Sequence, residues 1–354
     1  MKEFKRIGVL TSGGDAPGMN AAVRAVVRTA ISHGVEVVGI YRGYSGLIDG
    51  DIKPLAFRDV SNSISNGGTI LYSDRCPEFK TPEGMAQAVA NCQKFGIDGI
   101  VAIGGDGTFR GATDLTAHGV PCIGIPATID NDITSTDNTI GFDTAMNTVV
   151  EIVDKLRDTC ESHARCNVVE VMGRGAGDIA ISAGMASGAT AIVVPEFHYD
   201  FDAIVQQIHD GRAMGKRNFI IIVSEGVGSE VGPALAKKIQ EDAGVETKFA
   251  RLAHIVRGGN PTLKDRVLAS TMGAIAVEEL LKGHSNLVMC DKLGKIVPID
   301  INYALILDRM YKGKLKDGDL DRFTEADIEQ MRADIKTRHA HLTRLYGISK
   351  TINF

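Results

Sequence analysis

Four short runs in the amino-terminal part of the chain are apolar almost throughout: IGVL (7–10), VEVVGIY (35–41), GIVAIGG (99–105) and PCIGIP (121–126). A strand with one wet face alternates apolar and polar residues. A strand that is apolar on both faces needs cover on both, which means parallel strands with helical crossovers. The intervening segments supply those helices. TPEGMAQAVANCQKFG (81–96) offers Thr81 as N-cap, Pro82 at the first helical position and Gly96 just past the end. Met85, Ala88, Val89 and Cys92 recur at helical spacing and are expected to face the sheet. The expected fold class is α/β.

A second series follows residue 141. A helical segment at 144–158 leads to strand candidates at 167–173, 190–196, 218–226 and 248–256. With 354 residues the chain exceeds what one core usually serves. The expectation is two doubly wound, Rossmann-like lobes with mainly parallel sheets and a cleft between them. The uncharged run from Ile179 to Pro195 is too short for a membrane span and rich in small residues, so it reads as a buried helix followed by a strand. Beyond Thr324 the chain reads as a surface helix opened by a capping box of Thr324 and Asp327. His339 and His341, two apart, would point away from each other there.

The formal net charge is −5, so no overall basic field would hold nucleic acid or an anionic membrane. An anionic ligand must then be met by local Arg and Lys. The six cysteines form no C-x-x-C pair and the amino end runs directly into a strand, which points to free thiols and a cytoplasmic protein.

The chemistry-bearing residues gather where the apolar runs stop. LTSGGDAPGMN (10–20) breaks after a strand into Ser12-Gly13-Gly14, and Pro17 could open a helix; such a turn brings backbone N–H groups close to a phosphate. GGDGT (104–108) places Asp106 among glycines at a second strand end, and PATIDND (126–132) places Asp130 and Asp132 at a third. Any one of these is an ordinary βα turn or an N-capping aspartate. Together they match what phosphoryl transfer needs: a metal-held polyphosphate, a base for the attacking hydroxyl, and cations for the transferred group. Asp106 suits the metal contact, and Asp130 or Asp132 the base. Arg75, Arg165, Arg174 and Arg257 border Gly- or Pro-rich turns and are the candidate cations. GRAMGKR (211–217) is not a phosphate loop, having three residues between its glycines and no Ser or Thr after the Lys.

LTSGGDAPGMNAAVR, GGDGT, PATIDND, VVEVMGR and HIVRGGNP, in this order from about residue 6 to 300, resemble the bacterial ATP-dependent 6-phosphofructokinases. The resemblance implies transfer of the ATP γ-phosphoryl group to the 1-hydroxyl of fructose 6-phosphate, with Mg²⁺, in a homotetramer whose sites are shared between subunits. It implies an ATP-binding lobe of residues 1–141 and 256–306, and a sugar-phosphate lobe of 142–255 and 307–354. Asp130 would be the base, Asp132 would support the metal–phosphate centre, and Thr128 would contact sugar or transferred phosphate. Asp106 would hold Mg²⁺, and Gly14, Arg75, Gly107, Thr108 and Gly111 would surround ATP. Arg174 would neutralise the transferring group. Arg165, Met172, Gly173, Glu225, Lys248, His254 and Arg257 would bind the sugar phosphate, with Arg165 and the Lys248 region coming from a neighbouring chain.

The chain departs from the family in places. Lys248 stands where the family has Arg, keeping the charge but losing the bidentate fork. On the strand 248–256 it shares a face with His254, whereas Arg251 points the other way, so Lys248 is the expected ligand. The pyrophosphate-using relatives carry Asp after GGD and Lys before TIDND; here Gly107 and Ala127 leave room for adenosine and favour ATP. At the family's effector site Arg24, Arg28, Arg157 and Lys216 match phosphate-binding positions, while Phe57, Asn62, Thr190 and Met214 replace Arg, Asp, Glu and Lys. Weak or altered allostery is expected. A pyrophosphate-dependent enzyme is the alternative reading. A non-catalytic sugar-phosphate-binding paralogue is disfavoured, because Asp106, Asp130 and Arg174 are all present.

Overall fold

The structure is a computed structural model and describes residues 4–353. Its strands are β1 (Arg6–Ser12), β2 (Glu36–Ile40), β3 (Ile52–Leu55), β4 (Gly99–Gly104), β5 (Cys122–Pro126), β6 (Cys166–Val171), β7 (Ala191–Val193), β8 (Phe219–Ser224), β9 (Thr247–Arg251), β10 (Leu287–Lys292) and β11 (Lys295–Asp300). The helices of the first half are α1 (Met19–Ser32), α2 (Gly43–Asp49), α3 (Pro82–Lys94), α4 (Asp106–Ala117) and α5 (Phe142–His163). Those that follow are α6 (Asp178–Ala186), α7 (Phe201–Ala213), α8 (Val231–Asp242), α9 (Leu263–Leu281), α10 (Ile301–Tyr311) and α11 (Glu325–Ile352).

The chain divides into two compact units. The first comprises the residues up to Ile129, Ile133–Asp143 and Arg257–Ile335; the second comprises Asp130–Asp132, Thr144–Val256 and the residues from Lys336 onward. The first holds a sheet ordered β11-β10-β5-β4-β1-β2-β3, parallel except at its edges, where β11 and β3 run antiparallel. The second holds the sheet β7-β8-β6-β9, parallel throughout. The architecture is α/β.

Burial explains the unalternating runs. Every residue of β4, β5, β6 and β8 is buried, as is β1 after Arg6. In the first unit Leu10, Ile100, Ala102 and Phe109 share a core with Met85, Ala88 and Cys92 of α3, the face its spacing implies. Thr81 caps α3 by accepting from the Gly84 amide at 3.1 Å, and Gly96 follows with φ +64°. In the second unit Val168, Phe219, Ile221 and Val223 pack with Leu235 and Ile239 of α8. The run from Ile179 onward forms α6 and then β7, and among the described residues no helix is long and apolar enough to cross a membrane.

The sequence-based reading differs in detail. Strand β9 stops at Arg251, and Ala253–Arg257 forms a 3₁₀ turn entered at Ala253 with φ +48°. His254 therefore does not share a strand face with Lys248. Pro17 does not open a helix: α1 begins at Met19, behind Gly18 with φ +108°. Residues 307–335 belong to the first unit, because Leu307 and Met331 are fully buried together with Ile306, against Tyr303, Leu320 and Phe323. The hairpin β10–β11 was not anticipated; its turn residues Leu293 and Gly294 both have positive φ.

Candidate active site

In the first unit the ends of β1, β4 and β5 lie level. Ser12 of β1 pairs with Gly104 of β4, and Gly104 pairs with Pro126 of β5. Ligands of open parallel sheets sit at such carboxyl ends. The Thr108 hydroxyl, in the first turn of α4, donates to the Ser12 carbonyl oxygen at 3.1 Å. GGDGT is thereby tied to the SGG turn. Gly13 has φ +94° and its amide donates to Asp74 O at 3.3 Å, which brings the exposed Arg75 loop alongside.

Asp106 opens α4, where a carboxylate suits the helix dipole, and its Oδ2 pairs with Arg110 at 2.6 Å. A Cβ on Gly105 or Gly107 would meet nothing within 4 Å, so the backbone around Asp106 borders open space. Gly111 has a different reason to be glycine. A Cβ there would come within 2.6 Å of the Tyr44 ring, which stacks on Phe79 and donates to Thr108 O at 2.6 Å. Arg257 covers Gly14, whose Cβ would fall 2.5 Å from the guanidinium, and its Nε lies 3.7 Å from Asp15. Thr128 is half-buried one residue before this unit's first segment ends, and it accepts from the Thr139 hydroxyl at 2.6 Å through its carbonyl.

The segment Asp130–Asp132 groups with the second unit. Asp130 and Asn131 are buried, and Asn131 adopts φ +51°. Asp132 Oδ2 lies 3.6 Å from Arg174 Nη1, with the arginine side chain 73% exposed and the carboxylate 8%. The acidic segment and Arg174 are therefore brought together, as the resemblance requires. Gly173 has φ +149° and Arg174 has φ +57°, so the MGR turn after β6 is held in an unusual backbone shape. Glu225 holds it: one carboxylate oxygen accepts from the Gly173 amide at 3.2 Å and the Arg174 amide at 2.7 Å. That contact gives Glu225 a backbone partner besides any sugar hydroxyl. Half-buried Met172 precedes the turn.

Arg165 and Lys248 lie elsewhere in the same unit. Arg165 precedes β6, whereas Gly173 and Arg174 follow it, and the six-residue strand between them spans about 20 Å. Arg165 Nε sits 2.7 Å and Lys248 Nζ 2.9 Å from the Glu246 carboxylate. These partners, Arg165 first, hold the Glu246 carboxyl below its usual range. His254 is exposed on the 3₁₀ turn.

Of the four cations matching the effector site, Arg28 and Arg157 are engaged within their own units. Arg28 stacks over Phe57 at 4.1 Å and reaches Ser61 at 3.4 Å; burial, then Arg28, lowers the pKa of Arg24. Arg157 donates to Asn218 at 2.7 Å and to the carbonyl oxygen of Ser187. Burial, then Arg157, lowers the pKa of Lys216.

Two features escaped the sequence reading. One is Arg338 on α11, which donates to Asn131 O at 2.7 Å and to Asp178 at 3.0 Å. The other is the buried Asp178 with the half-buried Glu196, each with one buried carboxylate oxygen lacking a hydrogen-bond partner among the described residues.

Residues 6–280 match the family described as phosphofructokinase. The chain is 57% identical to the ATP-dependent 6-phosphofructokinase of Bacillus subtilis (strain 168) over 298 residues, 84% of this chain and 93% of that protein. It is 59% identical to the protein of the same name from Bacillus licheniformis over 280 residues, 79% of this chain and 87% of that protein. Among solved structures, phosphofructokinase from Saccharomyces cerevisiae superposes with a TM-score of 0.83 at 34% identity, covering 95% of this chain. This chain spans 50% of that yeast chain's length. A pyrophosphate-dependent phosphofructokinase from Marinobacter aquaeolei has a TM-score of 0.74 over 84% of this chain and 83% of its own, and at 23% identity it shares the fold. Level strand ends, an acidic segment beside an arginine turn, and a family match over most of the chain converge: the chain belongs to the phosphofructokinase family.

Proposed function

We propose that the chain catalyses ATP-dependent phosphorylation of fructose 6-phosphate at its 1-hydroxyl, giving fructose 1,6-bisphosphate and ADP in glycolysis. The likeness to the Bacillus relatives named ATP-dependent 6-phosphofructokinase carries this reading. Gly107, which leaves open space beside Asp106, supports ATP over pyrophosphate as donor.

The donor set around Asp106 fits magnesium: a carboxylate oxygen at a helix start, flanked by glycines that leave room for phosphates. Magnesium, when bound, would neutralise phosphate oxygens as charge develops. Gly14, Arg75, Gly107, Thr108 and Gly111 are assigned to the ATP side, with Gly111 acting through Tyr44. Asp130 takes the proton of the 1-hydroxyl as that oxygen bonds to the γ-phosphorus and the bond to ADP breaks, a role typically worth ~10²–10⁴-fold. Arg174, held by Glu225 through its backbone and by Asp132 through its side chain, meets the charge of the transferring group. Thr128, Met172, Gly173, Glu225, His254 and Arg257 are assigned to the sugar phosphate.

Arg165 and Lys248 stand at the opposite end of β6 from Arg174, so one chain does not offer all three to one phosphoryl centre. A second copy supplying its own Arg165 and Lys248 resolves this, consistent with a homotetramer in the cytoplasm. A coupled assay with fructose 6-phosphate, comparing ATP and pyrophosphate, tests the reading. Preference for ATP is expected; preference for pyrophosphate would overturn it.

A further inference from the structure

Arg338 lies on α11 with its side chain 13% exposed. It falls in phase with Leu342, Tyr346 and Ser349, which are buried along one stripe of the helix. The stripe is fastened to the second unit at its far end: Tyr346 donates to Ile192 O and Asn353 to Gly184 O, each at 3.2 Å. An arginine on such a stripe needs partners, and the second unit supplies them. Its Nη2 donates to the main-chain oxygen of Asn131 at 2.7 Å and to Asp178 Oδ1 at 3.0 Å.

The same Asp178 oxygen accepts from the Asn131 side-chain amide at 3.2 Å. Asn131 is therefore gripped at its carbonyl and at its side chain by one buried ion pair. Its φ of +51° is a conformation that asparagine tolerates but does not favour, so the grip sets a backbone shape that the chain would otherwise leave. Asp130 and Asp132 are its immediate neighbours. A rotation about the Asn131 backbone redirects both carboxylates at once, and Asp132 lies 3.6 Å from Arg174.

We propose that Arg338 is a positioning residue for phosphoryl transfer, clamping Asn131 so that Asp130 and Asp132 keep their working directions. This rests on the function proposed above. Its role as a positioning residue runs through the Asn131 carbonyl and Asp178.

The test compares the full-length wild type with Arg338→Lys, Arg338→Met, the double variant Arg338→Met/Asp178→Asn, and Arg344→Met as a control on the exposed face of α11. Arg338→Met alone strands the buried Asp178 charge and can unfold the chain. The double variant removes both charges while leaving an oxygen for the Asn131 amide. The double variant is expected to melt close to wild type, with kcat lowered between roughly 10- and 100-fold and KM for ATP and fructose 6-phosphate within about 2-fold. Arg338→Lys recovers part of kcat, and Arg344→Met behaves as wild type. A double variant with kcat within about 2-fold of wild type overturns the proposal, as does a kcat loss matched by loss of folded protein. Asp130→Ser, assayed alongside, separates the two readings. If it loses kcat while the Arg338 variants do not, only the clamp fails; if it keeps kcat, the assignment of the base fails.

Discussion

Thr108 Oγ1 lies 3.1 Å from the Ser12 carbonyl oxygen and joins the first turn of α4 to the last residue of β1. The bond is fully buried, so its loss leaves an acceptor without its donor at a cost of ~1–3 kcal/mol. Thr108→Val keeps the shape and removes the hydroxyl. The expected outcome is a lower melting temperature and a KM for ATP raised about 5-fold, with KM for fructose 6-phosphate little changed, since only the phosphate-side loops are loosened. Steady-state kinetics with each substrate varied check this.

Lys248 and Arg165 share the Glu246 carboxylate, and both stand at the end of β6 remote from Arg174. If they bind the sugar phosphate of a neighbouring copy, Lys248→Ala raises KM for fructose 6-phosphate roughly 10-fold while kcat falls less than about 3-fold. Lys248→Arg lowers that KM relative to alanine. An unchanged KM removes Lys248 from the site.

Burial raises the Glu196 carboxyl, the Gly177 amide opposes the rise, and Asp178 adds to it. A carboxyl whose folded pKa exceeds its unfolded value stabilises the fold in its protonated form. That contribution is present below the unfolded value and is lost as pH rises through the folded one. Glu196→Gln mimics the protonated form and keeps an acceptor for Gly177. The variant is expected to melt about 2 °C above wild type at pH 8, with the gap closing toward pH 4–5. Melting curves across that range measure it; a gap that widens toward low pH contradicts the sign.

The effector-position cations already have partners of their own: Arg157 is bonded to Asn218 and the Ser187 carbonyl, and Arg28 is stacked on Phe57. An anion would have to replace those contacts without the cations lost at Phe57 and Met214. ADP is therefore expected to shift the fructose 6-phosphate saturation curve by less than about 2-fold, each missing charge-assisted bond costing ~1.5–3 kcal/mol. A strongly sigmoidal curve relieved by low ADP contradicts this.

The buried parallel strands were readable because being covered on both faces removes polar residues from them, as in β4 and β8. The placing of Asp106, Asp130 and Arg174 after strand ends was readable because each sits in a short continuous motif that follows an apolar run. What escaped was non-local or locally atypical. Strand β9 was read too long because LAHIV is apolar, while a positive φ at Ala253 turns the chain. The β10–β11 turn hides behind Leu293, which is 95% exposed with φ +53° where Asn or Gly is the usual signal. Arg338 is separated from Asn131 by 207 residues, so no local pattern announces the bond. Its one trace in the sequence is position, a cation in step with Leu342 and Tyr346 on an otherwise charged helix.

Asp130 as the group that takes the sugar hydroxyl's proton is the centre of the account, and Asp130→Ser tests it directly. Measured as kcat for ATP-driven formation of fructose 1,6-bisphosphate at saturating substrates, the variant is expected to fall by ~10²–10⁴-fold with the fold intact. A kcat within about 10-fold of wild type would contradict the mechanism.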